Sequence, residues 1–309
     1  MEFKSVAILG AGAVGSYMLW GLSNKKDIDL CVVADGERKD RLEKNGLLIN
    51  ETPYFPKVKT PKEAKGVDLL LVTTKYTALE SSLPDIKEVV DDHTTIVSLL
   101  NGIDSEEIIG REVGIEKIVY SVIKVAAERI GNSICFDPDT TIGVIYGEKD
   151  NTHSPERVEA LGNLFKDTGL HYRKTDVILS EMWSKFRLNV SNNQPQAIIG
   201  CGVGAYADSE HVKFIQQKLK EELETIAKAK GIDLSLADAS SAKGSIVQKR
   251  ARYSTLQDLD AKRHTEVDMF SGAITRMGKE LGIPTPFNEM TFHIIKAMEE
   301  KNDGKFDYE

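Results

Sequence analysis

Three polar residues in the second half of the chain could handle the proton that accompanies a hydride transfer. Lys185, Asn189 and Asn193 are spaced four residues apart, so an α-helix would place them on one face, with a cation beside two amides. An ammonium group held there can protonate a carbonyl oxygen as hydride reaches the carbonyl carbon. The alternative is a solvated helix face, against which the low helix propensity of two asparagines counts.

A glycine motif near the start of the chain could bind the phosphates of a dinucleotide. Gly10, Gly12 and Gly15 form a G-x-G-x-x-G pattern that follows an apolar strand pattern and opens a helical one. In that context the first glycine permits a tight turn, the second lets the backbone approach a pyrophosphate, and the third lets the helix pack on the strand. The anion would lie at the helix N-terminus, where N–H groups favour it. A glycine-rich structural turn is the alternative interpretation.

The residues after the second strand pattern bear on which dinucleotide is bound. Asp35 follows Gly15 by twenty residues, at the position where an acid usually holds the ribose hydroxyls of NAD. Arg38, together with Lys39 and Arg41, could instead grip the 2′-phosphate of NADP. A capping aspartate before a solvated basic turn is a third interpretation. We expect NADP(H), because several charge-assisted contacts can outweigh one rotatable carboxylate, and Asp35 leaves NAD(H) open.

The strands and helices of the fold must bring these residues into position. Short, continuous apolar runs alternate with polar helical stretches in the first hundred residues, which predicts strands buried on both faces in a parallel sheet covered by helices. These runs are 6–9, 30–33, 69–72 and 95–99. Three further strand patterns, at 118–122, 133–136 and 141–147, predict an antiparallel edge added to that sheet.

The second half of the chain is helical by pattern. Apolar residues recur at three- and four-residue spacing, which predicts helices at 180–199, 211–229, 235–250, 264–281 and 286–301. We therefore predict a dinucleotide-binding Rossmann domain over residues 1–177 and a helical substrate-binding and catalytic domain over 178–309. The fold class is α/β, a Rossmann-like N-terminal domain with a mostly parallel sheet plus an all-helical C-terminal domain. The active site is expected in the cleft between them.

The composition limits the classes of function. The 309 residues are 41% hydrophobic and 28% charged, which is typical of a folded globular protein. A net charge of −8 disfavours nucleic acid, and the apolar runs are far shorter than the roughly 20 residues of a membrane helix, so we expect neither partner. The start lacks a signal-peptide pattern, which predicts a cytoplasmic protein. Three widely spaced cysteines predict neither a disulfide framework nor a metal site.

The motifs together resemble one known family, the ketopantoate reductases (2-dehydropantoate 2-reductases), which use NADPH to reduce a 2-keto acid on the route to pantothenate and coenzyme A. The specific part of the resemblance is the pair of patterns W-x-K-x-x-x-N and S-x-x-Q-D…R-x-T-E-x-D, in this order. The glycine motif alone would not suffice. The matching segments span nearly the whole chain and are 8–15, 72–75, 101–103, 183–193, 254–258 and 263–268.

The resemblance implies a role for individual residues. Lys185 would be the general acid that protonates the carbonyl oxygen, and Glu266 would orient that lysine or the substrate hydroxyl. An ordinary helix-surface acid is the alternative for Glu266. The residues that would hold the substrate carboxylate and hydroxyl are Asn189, Asn193 and Ser254. The residues that would lie beside the cofactor and the reacting centre are Lys75 and Asn101.

Three residues depart from the pattern of that family. Asp35 stands where many members carry a residue that tolerates the 2′-phosphate, Leu100 where a polar residue is common, and Ala251 where some members have a substrate-binding asparagine. Two alternatives to 2-dehydropantoate reduction therefore stay open. One is a reductase or dehydrogenase for another branched 2-keto or 2-hydroxy acid, and the other is a non-catalytic dinucleotide-sensing protein. The expected partner is a small 2-keto acid, and a homodimer is left open.

Overall fold

The structure is a computed structural model that describes residues 1–150, 156–238, 248–306 and 308. The chain forms two compact units, Met1–Ile178 and Leu179–Glu309. The described part of the first unit is a mixture of strands and helices, and the described part of the second is helical. The predicted fold class, a Rossmann-like α/β domain plus an all-helical one, is confirmed.

The first unit alternates strands with helices along most of its length. Its strands are short and largely buried, and its helices follow them in the order that parallel connections require. In chain order the elements are β1 (Ser5–Leu9), α1 (Ala13–Leu22), β2 (Asp29–Val33), α2 (Gly36–Asn45), β3 (Leu47–Ile49), β4 (Thr52–Tyr54), β5 (Val58–Lys59), β6 (Leu69–Val72), α3 (Leu79–Val89), β7 (Thr95–Ser98), α4 (Ser105–Val113), β8 (Ile118–Lys124), β9 (Ala127–Ile130), β10 (Ser133–Phe136), β11 (Gly143–Gly147), α5 (Glu156–Phe165) and β12 (Tyr172–Lys174).

The main sheet has eight strands in the order β12-β11-β8-β7-β6-β1-β2-β5. The four predicted core strands are present as β1, β2, β6 and β7, and they pair in parallel. Leu9 lies opposite both Val33 and Val72 in register, and Val72 lies opposite Ser98. The carboxyl ends of four neighbouring strands therefore form one straight edge, where loops from distant parts of the sequence meet.

The predicted antiparallel edge is only partly correct. β8 pairs in parallel with β7, β11 pairs antiparallel with β8, and β12 pairs in parallel with β11. The predicted strand at 133–136 is β10, which belongs to a second sheet of order β4-β3-β10-β9. β3 and β9 are its backbone partners, and Phe136 packs edge-on against Tyr17 and Trp20 of α1 at 5.2 and 5.4 Å between ring centroids. This small sheet therefore covers α1, the helix that follows the glycine motif.

The second unit is built from helices around buried aromatic side chains. Trp183 and Phe186 contact each other at 5.8 Å between ring centroids, and Phe186 contacts Phe270 at 6.5 Å. Its helices are α6 (Ile178–Leu188), which begins at the boundary, α7 (Gln194–Ile199), α8 (Ala205–Asp208), α9 (Glu210–Ala229), α10 (Ser235–Asp238), α11 (Ser254–Asp260), α12 (Ser271–Leu281) and α13 (Pro286–Asn302).

Three of the five predicted helices differ from the structure. The helix at 180–199 is interrupted by a π-helical turn, Asn189–Asn193, which separates α6 from α7. Of the predicted helix at 235–250, Ser235–Asp238 is helical as α10, residues 248–250 are not helical, and residues 239–247 lie outside the described residues. The helix at 264–281 begins only at Ser271, because the N–H and hydroxyl of Thr265 both donate to the Glu299 carboxylate. The other two predicted helices are present as α9 and α13.

Among residues 1–150, 156–238, 248–306 and 308, none of the helices is both long enough and apolar enough to cross a bilayer. The same ranges contain no group of three or more His, Cys, Asp or Glu side chains arranged to hold a metal ion.

Candidate active site

The first group of predicted site residues lies at the carboxyl edge of the main sheet. Gly10, Gly12 and Gly15 follow β1, Asp35 follows β2, Lys75 follows β6, and Asn101 follows β7. Because these strands are neighbours in the sheet, six residues spread over ninety positions of the sequence are brought to one edge. We call this set the nucleotide edge.

The three glycines of the motif have different geometric reasons to be glycine. Gly10 has φ +108°, and a Cβ there would lie 2.8 Å from the carbonyl carbon of Thr73. A Cβ on Gly15 would lie 1.9 Å from the carbonyl oxygen of Gly10, which no side chain can accommodate. A Cβ on Gly12 would have nothing within 4 Å. Gly10 and Gly15 are therefore required by the fold itself, whereas Gly12 faces open space beside the start of α1.

The N-terminus of α1 is arranged to receive an anion. Gly12 is its N-cap and offers no side-chain hydrogen bond, and the first turn contains no acidic residue. The hydroxyl of Thr73 donates to the Gly10 carbonyl at 2.5 Å, which ties the loop to the end of β6. The buried Ser16 hydroxyl in α1 has no hydrogen-bond partner within the described ranges. Uncapped N–H groups at a helix start, with open space beside Gly12, fit the diphosphate of a nicotinamide dinucleotide.

Asp35 is exposed at the N-cap of α2, but its side chain makes no capping hydrogen bond. Its carboxylate is therefore not used to cap the helix, which was one of the three interpretations of this residue. Arg38 is exposed in the first turn of the same helix. The pKa of Asp85 in α3 is raised by burial and further by the charge of Asp35, while the charge of Arg38 lowers it. Two carboxylates and one guanidinium thus influence one another beside the end of β2.

Lys39 has partners of its own within the first unit. Its ammonium group lies 2.8 Å from the carboxylate of Glu43 and 3.0 Å from the carbonyl oxygen of Val58, and it is only partly exposed. The ammonium group is therefore bound by Glu43, one turn further along α2, and by the backbone of β5. Arg38 and Arg41 are the exposed cations of this turn that are left to meet a phosphate.

The loops after β6 and β7 are joined to each other. Lys75 is exposed at the start of a single 3₁₀ turn, Tyr76–Ala78, and Asn101 is partly buried. The hydroxyl of Tyr76 donates to the carboxylate of Asp104 at 2.7 Å, which links the Lys75 loop to the Asn101 loop. Leu100, at the position where the family often has a polar residue, is 6% exposed and belongs to the buried interior of the unit.

A buried glutamate below the Asn101 loop was not anticipated. Glu106, in the first turn of α4, is 1% exposed, and its carboxyl accepts a hydrogen bond from the Ser105 hydroxyl at 2.9 Å. The Ser105 hydroxyl also contacts that of Ser98 at 2.8 Å, and the Ser121 hydroxyl donates to the Ser98 carbonyl. Burial raises the pKa of Glu106 to about 7, against the opposing effect of hydrogen bonds from backbone groups and from the Ser105 hydroxyl. Local pattern gives no signal that separates this buried acid from its exposed neighbours.

In the second unit, Lys185 lies in α6 and the two asparagines lie in the π-helical turn. Asn189 and Asn193 are 7% and 4% exposed, whereas Lys185 is partly exposed. In a continuous α-helix two steps of four residues would carry Asn193 about 80° away from Lys185. A π-helical turn rotates less per residue, which returns Asn193 toward the line of the other two side chains. The π-helical turn is thus compatible with the predicted polar stripe.

The amide oxygen of Asn193 is buried and has no hydrogen-bond partner among residues the structure describes. Its neighbour Asn192 is differently placed, because its side-chain oxygen accepts from the Ser191 hydroxyl at 2.9 Å and from Gln216 at 3.0 Å. A buried amide oxygen without a donor costs free energy unless a ligand supplies one. A substrate hydroxyl would be such a donor.

The segment that carries Glu266 is held by side chains rather than by a helix. Arg263 donates to the Asp258 carboxylate at 2.8 Å, which joins the two halves of the S-x-x-Q-D…R-x-T-E-x-D pattern. Farther along, Ser271 donates its N–H to the side chain of Gln194 at 3.3 Å, and Phe270 packs on Phe186. Glu266 is partly buried. The segment therefore lies against the α6–α7 region that contains Lys185 and the two asparagines.

Ser254 is exposed as the first residue of α11, a helix that packs on α7 and on the π-helical turn. Gln196 fixes the chain just before it, accepting from the Tyr253 N–H at 2.6 Å and donating to the Ala251 carbonyl at 3.0 Å. The structure thus places the elements that carry Lys185, Asn189, Asn193, Ser254 and Glu266 in contact within one unit. The sequence did not lead us to predict these contacts of Gln194 and Gln196. Two glutamines in an otherwise apolar helical segment could have indicated them.

Two family models match the chain. The first, described as ketopantoate reductase PanE/ApbA, matches residues 6–144, and the second, its C-terminal counterpart, matches residues 177–299. The 2-dehydropantoate 2-reductase of Pyrococcus horikoshii is 29% identical over 309 residues, covering 97% of this chain and 99% of that protein.

Solved structures show the same similarity. The PanE/ApbA family ketopantoate reductase from Ralstonia eutropha JMP134 has a TM-score of 0.81 at 25% identity, covering 97% of this chain and 99% of that one. D-mandelate dehydrogenase in a ternary structure with NADH and anilino(oxo)acetate has a TM-score of 0.82 at 22% identity, with the same coverage, and shares the fold. Because the two matched segments together take in most of the chain, it belongs to the ketopantoate reductase PanE/ApbA family.

Proposed function

We propose that this protein reduces the carbonyl group of a 2-keto acid with NADPH, and that the reaction is 2-dehydropantoate to pantoate, on the route to pantothenate and coenzyme A. The observation that carries the proposal is the π-helical turn after α6, which buries the two amides, Asn189 and Asn193, beyond the helix that carries Lys185. The family relationship and the nucleotide edge support the same assignment. Residues 1–177 would bind the dinucleotide, and residues 178–309 would bind the substrate and carry the catalytic residues.

In this proposal the nicotinamide cofactor supplies the hydride when it is bound. Lys185 gives its proton to the carbonyl oxygen, so the negative charge that develops on this oxygen is neutralised as it forms. Glu266 keeps the ammonium group or the substrate hydroxyl in place. The substrate carboxylate and hydroxyl are bound by Asn189, Asn193 and Ser254. The cofactor is bound by Gly10, Gly12, Gly15, Asp35, Arg38, Lys75 and Asn101.

The cofactor preference follows from the groups at the end of β2. We propose NADPH, because the exposed Arg38 can form a charge-assisted contact with the 2′-phosphate and the family resemblance points the same way. NADH is the second candidate. Two observations favour NADH. The Asp35 carboxylate makes no capping hydrogen bond and would repel a 2′-phosphate, and the Lys39 ammonium group, paired with Glu43, would attract that phosphate less strongly.

A second candidate substrate is another branched 2-keto acid. Leu100 is buried where a polar contact is common in the family, and Ala251 cannot supply the amide that some members use. Both changes remove polar groups, which favours a more apolar substrate over the hydroxylated one. The other rival, a dinucleotide sensor without turnover, has no use for the proton donor Lys185.

A panel of 2-keto acids tests the proposal. The purified protein is given NADPH with 2-dehydropantoate, 2-oxoisovalerate or benzoylformate, and NADPH oxidation is followed by absorbance. We expect kcat/KM for 2-dehydropantoate to exceed the others by about 100-fold, because a site built to bind a hydroxyl discriminates strongly against analogues without it. A preference for an unhydroxylated acid would favour the second candidate. NADPH binding without oxidation by any acid would favour the sensor.

A further inference from the structure

We propose that Glu299 and Lys296, on α13, are positioning residues that hold the segment around Glu266 from both sides. The inference rests on the proposed function, because Glu266 is the carboxylate assigned there to orient Lys185 or the substrate hydroxyl. Neither α13 residue belongs to the motifs that carry the family resemblance.

The contacts are made to residues on either side of Glu266. The Glu299 carboxylate accepts two hydrogen bonds from Thr265, one from its N–H at 2.7 Å and one from its hydroxyl at 2.6 Å. The Lys296 ammonium group lies 2.9 Å from Glu299 and 3.2 Å from the carboxylate of Asp268. One turn of α13 therefore binds the residue before Glu266 and the residue two places after it.

The segment needs such contacts because it has no helical hydrogen bonds of its own at its start. Regular helix begins only at Ser271, and residues 263–270 form extended chain and turns. The carbonyl of Glu266 accepts from the N–H groups of Met269 and Phe270 at 3.0 and 3.1 Å, which orders the later part. In the earlier part Arg263 is held by Asp258, and Thr265, the residue next to Glu266, is held by Glu299. Without the Glu299 contacts, the backbone that carries Glu266 would be free to rotate at its N-terminal side.

The charge of Glu299 is well compensated although the residue is 2% exposed. Burial tends to raise the pKa of Glu299, but the hydrogen bonds from Thr265 and Lys296 outweigh it and hold the pKa below its ordinary value. His264 also faces this carboxylate, with Nδ1 at 3.6 Å, while its Nε2 lies 3.0 Å from Asp303. Asp268 completes the charged groups on this side. Breaking a buried ion pair is costly, because the remaining charge is left without a partner. The ionised Glu299 carboxylate therefore holds its partners firmly in place.

Substitutions on both sides of the contact test the inference. Glu299→Gln keeps the shape and removes the charge, and Thr265→Val removes the hydroxyl donor. We expect each to lower kcat for the 2-keto acid about 10-fold with KM and NADPH affinity little changed, because the orientation of a reacting group is lost rather than a binding contact. Thr265→Ser restores the hydroxyl and is expected to restore kcat.

Glu222→Gln is the matched control. Glu222 also anchors α13 with a carboxylate, accepting from the N–H groups of Phe287 and Asn288 at 2.9 Å, but it does so at the opposite end of the helix. We expect this variant to lose thermal stability to a similar extent and to keep kcat within about twofold of wild type. An equal fall in kcat for Glu222→Gln would overturn the inference, since the effect would then be one of general stability.

A double substitution shows whether Glu299 acts through Glu266. If it does, Glu299→Gln should change kcat less than about twofold in a Glu266→Gln background, because the residue it positions is already lost. A full, independent effect in that background would refute the inference. If no 2-keto acid is turned over, the proposed function fails, and amide hydrogen exchange decides the positioning. Faster exchange at Glu266 and Met269 in Glu299→Gln, but not in Glu222→Gln, supports it, and unchanged exchange overturns it.

Discussion

The nucleotide edge and the segment around Glu266 place their polar groups by different means. At the nucleotide edge the positions are set by backbone, through aligned strand ends, a glycine with φ +108° and uncapped N–H groups. Around Glu266 they are set by charged side chains that reach across from α13. The glycine motif is set by residues close in sequence, whereas the hydrogen bond between Thr265 and Glu299 spans 34 positions and the ion pair between Lys296 and Asp268 spans 28.

The two buried glutamates show the same contrast. Glu106 is surrounded by hydroxyl and backbone groups, so burial dominates and its pKa rises to about 7. Glu299 is buried with a cation beside it, and its pKa falls below the ordinary value. A neutral environment therefore favours the protonated acid in the first unit, and a paired environment favours the ionised acid in the second.

The largest effect is expected at Lys185. Lys185→Ala should lower kcat by about 10²–10⁴, the usual contribution of a general acid, with NADPH affinity little changed. Arg187→Ala, in the same helix, is the control, because Arg187 pairs with Glu224 on α9 at 3.1 Å and has no role in the proposed chemistry. A folded Lys185→Ala protein with activity within a few-fold of wild type would refute the proton-donor assignment.

Two glycine substitutions separate fold from binding at the nucleotide edge. Gly15→Ala places a Cβ 1.9 Å from a backbone oxygen, so we expect a loss of about 3 kcal/mol in the free energy of unfolding. Gly12→Ala meets no atom within 4 Å, so stability should be unchanged while the methyl group hinders the diphosphate and weakens NADPH binding about 10-fold. Thermal denaturation and a binding titration measure the two effects. Equal destabilisation by both substitutions would contradict the geometry.

The stability of the first unit should depend on the protonation of Glu106. The pKa is about 7 in the folded protein and near 4.5 when unfolded, so the folded state holds the proton more tightly. Stability is then fully present below the unfolded pKa and falls as pH rises through 4.5 to 7. Glu106→Gln lacks this loss, so its unfolding free energy should gain about 2 to 3 kcal/mol on wild type between pH 5 and pH 8.

Glu107→Gln is the control for this pH dependence. Burial tends to raise the pKa of Glu107, but hydrogen bonds from Lys149 and Tyr120 outweigh it and lower the pKa. Its contribution to stability is therefore lost as pH falls, the opposite sign to Glu106. Denaturant unfolding at several pH values distinguishes the two variants, and a parallel response from both would show that Glu106 is not the group responsible.

The smallest effect is expected from the carboxylate at the end of β2. Asp35→Asn removes the repulsion of a 2′-phosphate and weakens the contact with ribose hydroxyls, so the ratio of kcat/KM for NADPH over NADH should rise about 3- to 10-fold. The two cofactors are compared in steady-state assays of both proteins. A wild-type preference for NADH of about tenfold would refute the proposed cofactor and assign Asp35 to the ribose.

The nucleotide edge could be predicted from the sequence, because each pattern that indicates it lies within a short stretch of the chain. The four apolar runs became β1, β2, β6 and β7, and the glycine spacing fell at the junction of β1 and α1. The antiparallel edge was misjudged because β10 lies between β9 and β3 in a second sheet, and β3, its distant partner, has only three residues and leaves almost no periodic pattern for a pairing of β3 with β10. Their pairing depends on contacts across more than eighty residues.

The helix boundaries of the second unit were harder to predict from the sequence, because side-chain contacts between distant residues determine its local structure. Periodicity predicted helix over 264–281, yet Thr265 donates to Glu299 and the helix starts seven residues late. The same periodicity could not show the π-helical turn at Asn189–Asn193. Lys39, one of the three cations that could meet a phosphate, pairs with Glu43 in the structure. At Thr265 a side-chain hydrogen bond competed with the regular helix.

A crossed comparison of binding and turnover tests the proposed division of roles most directly. The dissociation constant for NADPH and kcat for the 2-keto acid are measured for wild type, Gly12→Ala and Lys185→Ala. We expect Gly12→Ala to weaken NADPH binding about 10-fold with kcat at saturating cofactor within about twofold, and Lys185→Ala to lower kcat at least 100-fold with NADPH binding unchanged. If both variants changed binding and turnover together, the separation between a cofactor-binding first unit and a proton-donating second unit would be contradicted.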